Sequence, residues 1–136
     1  MRQAEDTRAQ TQRRLATPGD SDSAQPKNFL QACLLLLLRE APSHGYALIE
    51  RLEEMGSRRD RGVVYRTLRF LEREGLVQSA WEDSHSGPAK RSYALTPYGE
   101  EMLSAWAESL RSSARMLGEY LERYHKATKG TSEQAR

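Results

Sequence analysis

Cysteine is nearly absent. Cys33 is the only one in 136 residues, which excludes an internal disulfide framework and a cysteine-rich zinc site and fits a reducing, cytoplasmic setting. Long hydrophobic runs are missing too. The richest apolar stretch, residues 29–38, spans about half of the ~20 residues that a membrane crossing needs, and Gln31 interrupts it. It reads as a buried helix, and no membrane partner is expected. No basic start followed by an apolar stretch and a small-residue cleavage site appears near Met1, so no secretory signal is expected. The three histidines, His44, His85 and His125, fall on different elements without ligand spacing, so no metal is expected. Neither a glycine-rich phosphate loop nor a nucleophile motif occurs, which speaks against an enzyme and gives no reason to expect a cofactor.

A strong imbalance of charge is lacking as well. The net charge is +2, so nucleic-acid binding has to be argued from where the arginines sit rather than from the total. Charged residues make up 29% and hydrophobic ones 38%, enough apolar material for one modest core with a solvated exterior. Residues 1–27 carry almost no large apolar side chain and read as a flexible or weakly helical extension.

Periodicity organises the rest. Asn28 can cap a helix that runs to Glu40, where Ala41-Pro42 ends it. Ser43 offers a cap for a second helix through Tyr46, Ile49 and Leu52, stopping at Gly56. Asp60 can cap a third, whose Val64, Leu68 and Leu71 recur at helical offsets before Gly75. Residues 76–82 then alternate with Val77, Ser79 and Trp81 on one face, and residues 90–96 place Arg91, Tyr93 and Leu95 together. Both read as strands, and the turn formers of residues 83–89 make the loop between them a wing. Thr96-Pro97 opens a last helix to about residue 126, with a short tail at 127–136. The fold class expected is mainly α with a two-stranded β wing: a winged helix-turn-helix over residues 28–96 and a long C-terminal dimerisation helix over 97–126.

Two patterns carry function. From Arg58 to Arg73, six arginines (Arg58, Arg59, Arg61, Arg66, Arg69 and Arg73) oppose Asp60 and Glu72, a local charge of +4 in a +2 protein. The apolar stripe leaves Arg66, Arg69 and Arg73 on other faces, while Arg58, Arg59 and Arg61 gather at the positive end of the helix; both arrangements suit phosphate, and such a helix fits the major groove. Arg61, Gly62, Val63 and Arg66 open that helix towards the groove, and Lys90 and Arg91 on the wing are placed to hold phosphate. Tyr46 and Tyr65 either donate to phosphates or brace the core with their rings. In the last helix Leu103, Leu110, Leu117 and Tyr124 share one heptad position and Trp106, Ser113 and Tyr120 its companion, a seam for a homodimer. Trp106 stays open between core packing and stacking a flat small-molecule effector. Cys33 reads as a small buried residue. The competing reading is a winged helix that binds protein; the mainly arginine outer face of the third helix favours double-stranded DNA.

The chain also resembles a known family, the PadR-type transcriptional regulators. The resemblance is carried by His44-Gly45-Tyr46, Gly62-Val63-Val64-Tyr65, Leu68 with Leu71-Glu72, Gly75-Leu76-Val77 and Trp81. It continues through Gly87-Pro88, Lys90-Arg91 and Tyr93 to Leu95-Thr96-Pro97 with Gly99. It implies a dimeric winged-helix repressor whose third helix enters the major groove of a palindromic operator and whose wing touches the adjacent backbone. Where the family commonly has Ser-Pro before the glycine of the third helix, this chain has Asp60-Arg61, and Arg66 stands where proline follows the tyrosine. Gly87-Pro88-Ala89-Lys90-Arg91 and Val64-Tyr65-Arg66-Thr67-Leu68 resemble the branch of polyhydroxybutyrate-responsive repressors.

Overall fold

In a computed structural model, the structure describes residues 28–82 and 87–134. The expected extension at 1–27 and the wing tip at 83–86 lie outside the described residues. The elements are α1 (Phe29–Glu40), β1 (Ser43–His44), α2 (Gly45–Glu54), α3 (Arg61–Arg73), β2 (Val77–Glu82), β3 (Lys90–Leu95) and α4 (Pro97–Gln134). Among them no helix is long and apolar enough to cross a membrane.

The apolar helix α1 sits at the centre because it is buried nearly all round. Leu30, Cys33, Leu34, Leu35, Leu37 and Leu38 join Leu48 and Leu52 of α2, Val64, Leu68 and Leu71 of α3, and Val77 and Tyr93 of the sheet in one core. Burying leucines of this size contributes about 1.5–3 kcal/mol each, which fixes α2 and α3 against α1. Both helices end as their glycines predict. Gly56 and Gly75 adopt φ of 85° and 80°. The next amides, Ser57 and Leu76, then reach back to the carbonyls of Leu52 and Leu71 at 2.9 Å each, satisfying carbonyls a helix end would otherwise leave unpaired.

Three boundaries differ from the sequence reading. The sheet has three antiparallel strands in the order β1-β3-β2, not two, because Ser43 and His44 pair with Tyr93 and Ser92. Ser43 therefore belongs to a strand and is not the cap of α2, which starts one residue later with His44 at its cap position. Ser43 instead accepts from Arg51 Nη1 at 2.6 Å, while Arg51 Nη2 donates to the Leu37 carbonyl at 2.7 Å. Arg51 thus ties the end of α1 to α2, a role that no local pattern announces. Asn28 and Asp60 do stand at the starts of α1 and α3, but neither makes a side-chain cap bond. Their backbone carbonyls accept the first helical amides instead. Finally, α4 continues to Gln134, 38 residues in all, or about 57 Å at 1.5 Å per residue.

The start of α4 is well anchored. Thr96 Oγ1 accepts from the Gly99 amide at 3.0 Å and donates to the Gly75 and Leu76 carbonyls. A Cβ on Gly99 would run into the Leu76 carbonyl oxygen, so only glycine lets the helix pass this close to the base of the wing.

Candidate nucleic-acid interface

The third helix separates its residues as its periodicity requires. Val64, Leu68 and Leu71 are buried in the core, and Arg61, Arg66, Arg69 and Arg73 are exposed. Gly62, Val63 and Tyr65 are half-buried at its opening, with Val63 and Tyr65 packed against the core. Arg58, Arg59 and Arg61 line a depression at the N-terminal end of α3 together with Ile49 and the acidic Glu53 and Asp60. Arg58 itself is exposed and lies 3.7 Å from Glu53, a contact that water screens heavily. The positive end of the helix dipole adds to this cluster.

A second concavity, about 400 Å³ in volume, lies between the start of α2, the middle of α3 and the wing. It gathers Tyr46 from α2, Tyr65 and Arg69 from α3, and Lys90 and Arg91 from β3, five residues that the sequence singled out from three separate segments. The exposed Tyr46 ring stacks on the His44 imidazole, with centroids 5.6 Å apart and planes 5° from parallel, and the Lys90 ammonium lies 5.3 Å from its centre. Gly45 makes the cleft possible, since a Cβ there would stand 2.5 Å from Tyr65 Cε1.

Sequence reasoning missed His44 and Trp81 as cleft residues. His44 Nδ1 donates to the Arg91 carbonyl at 3.4 Å and its Nε2 lies 3.3 Å from Glu82. Trp81 faces Arg91 across the β2-β3 ladder; alternation within β2 puts Trp81 on the face of Ser79 but does not set that register. Beneath them Tyr93 is buried. Desolvation pushes its phenol pKa up, against the pull of the Arg91 charge, so the phenol stays protonated.

Arg91 differs from the other cations. Its guanidinium is 3.0 Å from Glu72 Oε2, and its Nε donates to Ser79 Oγ at 2.7 Å. The docking of the wing on α3 brings this carboxylate of its own chain beside a cation that the sequence reading expects to hold phosphate.

The proposed dimer seam divides into two halves. Leu103 packs against the core, and Trp106 and Leu110 are half-buried, lining an apolar groove of about 120 Å³ with Phe29, Cys33 and Leu36. This half is partly covered within the chain. The far half is not: Met116, Leu117, Tyr120, Leu121 and Tyr124 are 58–73% exposed. Met116 and Leu121 widen the stripe beyond the residues read from the heptads. Among the described residues no group of histidine, cysteine and acidic side chains could hold a metal ion.

A family described as "Transcriptional regulator PadR-like family" matches residues 34–105. The transcriptional regulator YqjI of Escherichia coli is 30% identical over 96 residues, covering 68% of this chain and 42% of its own. A PadR-like transcriptional regulator from Bacillus cereus is 25% identical with a TM-score of 0.64, over 70% of this chain and 93% of that one. The Bacillus subtilis PadR in complex with operator DNA is 26% identical with a TM-score of 0.56, over 60% of this chain and 48% of that one. The chain spans only 26–42% of the length of the curated relatives it matches.

Proposed function

The chain belongs to the transcriptional regulator PadR-like family, and on that premise we propose that it is a sequence-specific, double-stranded-DNA-binding repressor. It acts in the cytoplasm as a homodimer on a palindromic operator. The observation that carries this reading is the cleft in which α2, α3 and the wing bring Tyr46, Tyr65, Arg69 and Lys90 to one surface beside the arginines that open α3. A helix whose core face is apolar and whose other faces carry cations fits the major groove, and the wing then lies along the neighbouring phosphates. The Bacillus subtilis relative, solved in complex with operator DNA, supports DNA as the partner.

The dimer is supported by the exposed apolar stripe from Met116 to Tyr124 on a helix that outruns its own domain. Response to a small molecule is supported by Trp106, half-buried in an apolar groove beside α1, where a flat effector would stack; the polyhydroxybutyrate-responsive branch is the assignment within the family. The function is tested by selecting duplexes from a random-sequence pool and measuring their affinity against unselected duplex. Recovery of a common sequence with two related half-sites is expected. A pool that shows no enrichment, with equal affinity for all duplexes, overturns the reading.

A further inference from the structure

Arg91 is held from four sides. Its Nη2 donates to Glu72 Oε2 at 3.0 Å and to Oε1 at 3.3 Å, and its Nε donates to Ser79 Oγ at 2.7 Å. Ser79 Oγ in turn donates to Glu72 Oε1 at 2.5 Å, so the three side chains close a ring of charge-assisted hydrogen bonds. The guanidinium carbon also lies 5.8 Å from the Trp81 ring centre and 5.9 Å from that of Tyr93, within the range of cation–π attraction. The Arg91 carbonyl accepts from His44. One residue therefore links α3, β1, β2 and β3.

We propose that Glu72, Ser79 and Arg91 form a strut that sets the wing against the recognition helix, so that Arg91 serves DNA binding as a positioning residue and not as a phosphate ligand. This rests on the DNA-binding reading above. Two physical reasons support it. A phosphate approaching Arg91 meets the Glu72 carboxylate with it, so the pair offers no net positive charge for counterion release. The β2-β3 hairpin is also fastened at its base, where Thr96 bonds to Gly75 and Leu76. A link further out, at the Ser79 and Trp81 level of the ladder, ties the hairpin directly to α3 and resists its tilting against that helix. A wing fixed in advance meets the DNA backbone without the ordering cost a loose one would carry.

The test compares Glu72→Gln, Arg91→Lys and the double variant in the full chain. Its probe is a labelled duplex taken from a random pool by the wild-type protein, measured over a range of salt. The strut predicts that each single variant weakens binding roughly tenfold, the scale of one lost charge-assisted bond, and that the double variant is no worse than either. The slope against salt stays that of the wild type, and amide exchange of β2 and β3 quickens in the DNA-free protein. Arg91→Lys keeps the charge but cannot span Glu72 and Ser79 together, so it fails where a point charge would suffice. If Arg91 instead binds phosphate, Glu72→Gln tightens binding by freeing it and Arg91→Lys retains affinity; either result overturns the proposal. Wild-type protein that selects no duplex would refute the DNA reading, whereas unchanged wing exchange in the variants would refute the strut.

Discussion

Gly45 and Tyr65 meet where the start of α2 crosses α3, so closely that a single added methyl on Gly45 would stand 2.5 Å from the tyrosine ring. The contact sets the depth of the cleft, because Tyr65 lines it from α3 while Tyr46, one residue beyond Gly45, lines it from α2. Gly45→Ala is expected to destabilise the domain by about 1–3 kcal/mol through overpacking. Tyr65→Leu should return part of that loss in the double variant, by thermal or urea unfolding. Additive losses would mean that the two residues do not press on one another.

Arg66 and Leu68 should separate recognition from folding. Arg66 is exposed and Leu68 fully buried. Arg66→Ala should leave the melting temperature unchanged and cost about 1–3 kcal/mol of preference for the selected duplex over random duplex if its guanidinium reads a base. Leu68→Ala should cost about 2–5 kcal/mol of stability through a cavity. Full sequence preference in Arg66→Ala, measured by competition, would assign base reading to other residues of α3.

The exposed far half of α4 should hold two copies together. Leu117→Asp with Tyr120→Asp places charge in the stripe at positions 61% and 67% exposed, which spares the monomer core. Sedimentation at about tens of micromolar should show the wild type as a dimer and the variant as a folded monomer. A wild-type monomer at that concentration would refute the seam.

Cys33 should be chemically quiet. The residue is 2% exposed, and desolvation raises its thiol pKa above the usual value, with the Arg59 charge opposing only in part. Little thiolate therefore exists near neutral pH, and the reactive form appears only as pH rises through the raised value. A disulfide reagent should label the native protein far more slowly than the urea-unfolded chain. Prompt, complete labelling under native conditions would show that α1 and α4 open readily around it.

What the sequence determined by itself was the order of the four helices and the two wing strands and the facing of their side chains. The offsets of Val64, Leu68 and Leu71 placed one side of α3 inward, and alternation grouped Val77, Ser79 and Trp81 on one face of β2 and Arg91, Tyr93 and Leu95 on one face of β3. Both patterns are read within a few residues, because helix and strand periods are properties of the local backbone. What only the tertiary structure decided was which side chains meet across distance. Arg91 reaches Glu72 nineteen positions away and accepts from His44 forty-seven positions away, and Ser43 joins a strand because β3 offers it an unpaired edge. Those contacts arise when α1 docks α2, α3, α4 and the sheet around one core, and no local period encodes a docking angle. The same docking turned Arg91 from a free cation, as its sequence context suggests, into one half of an ion pair.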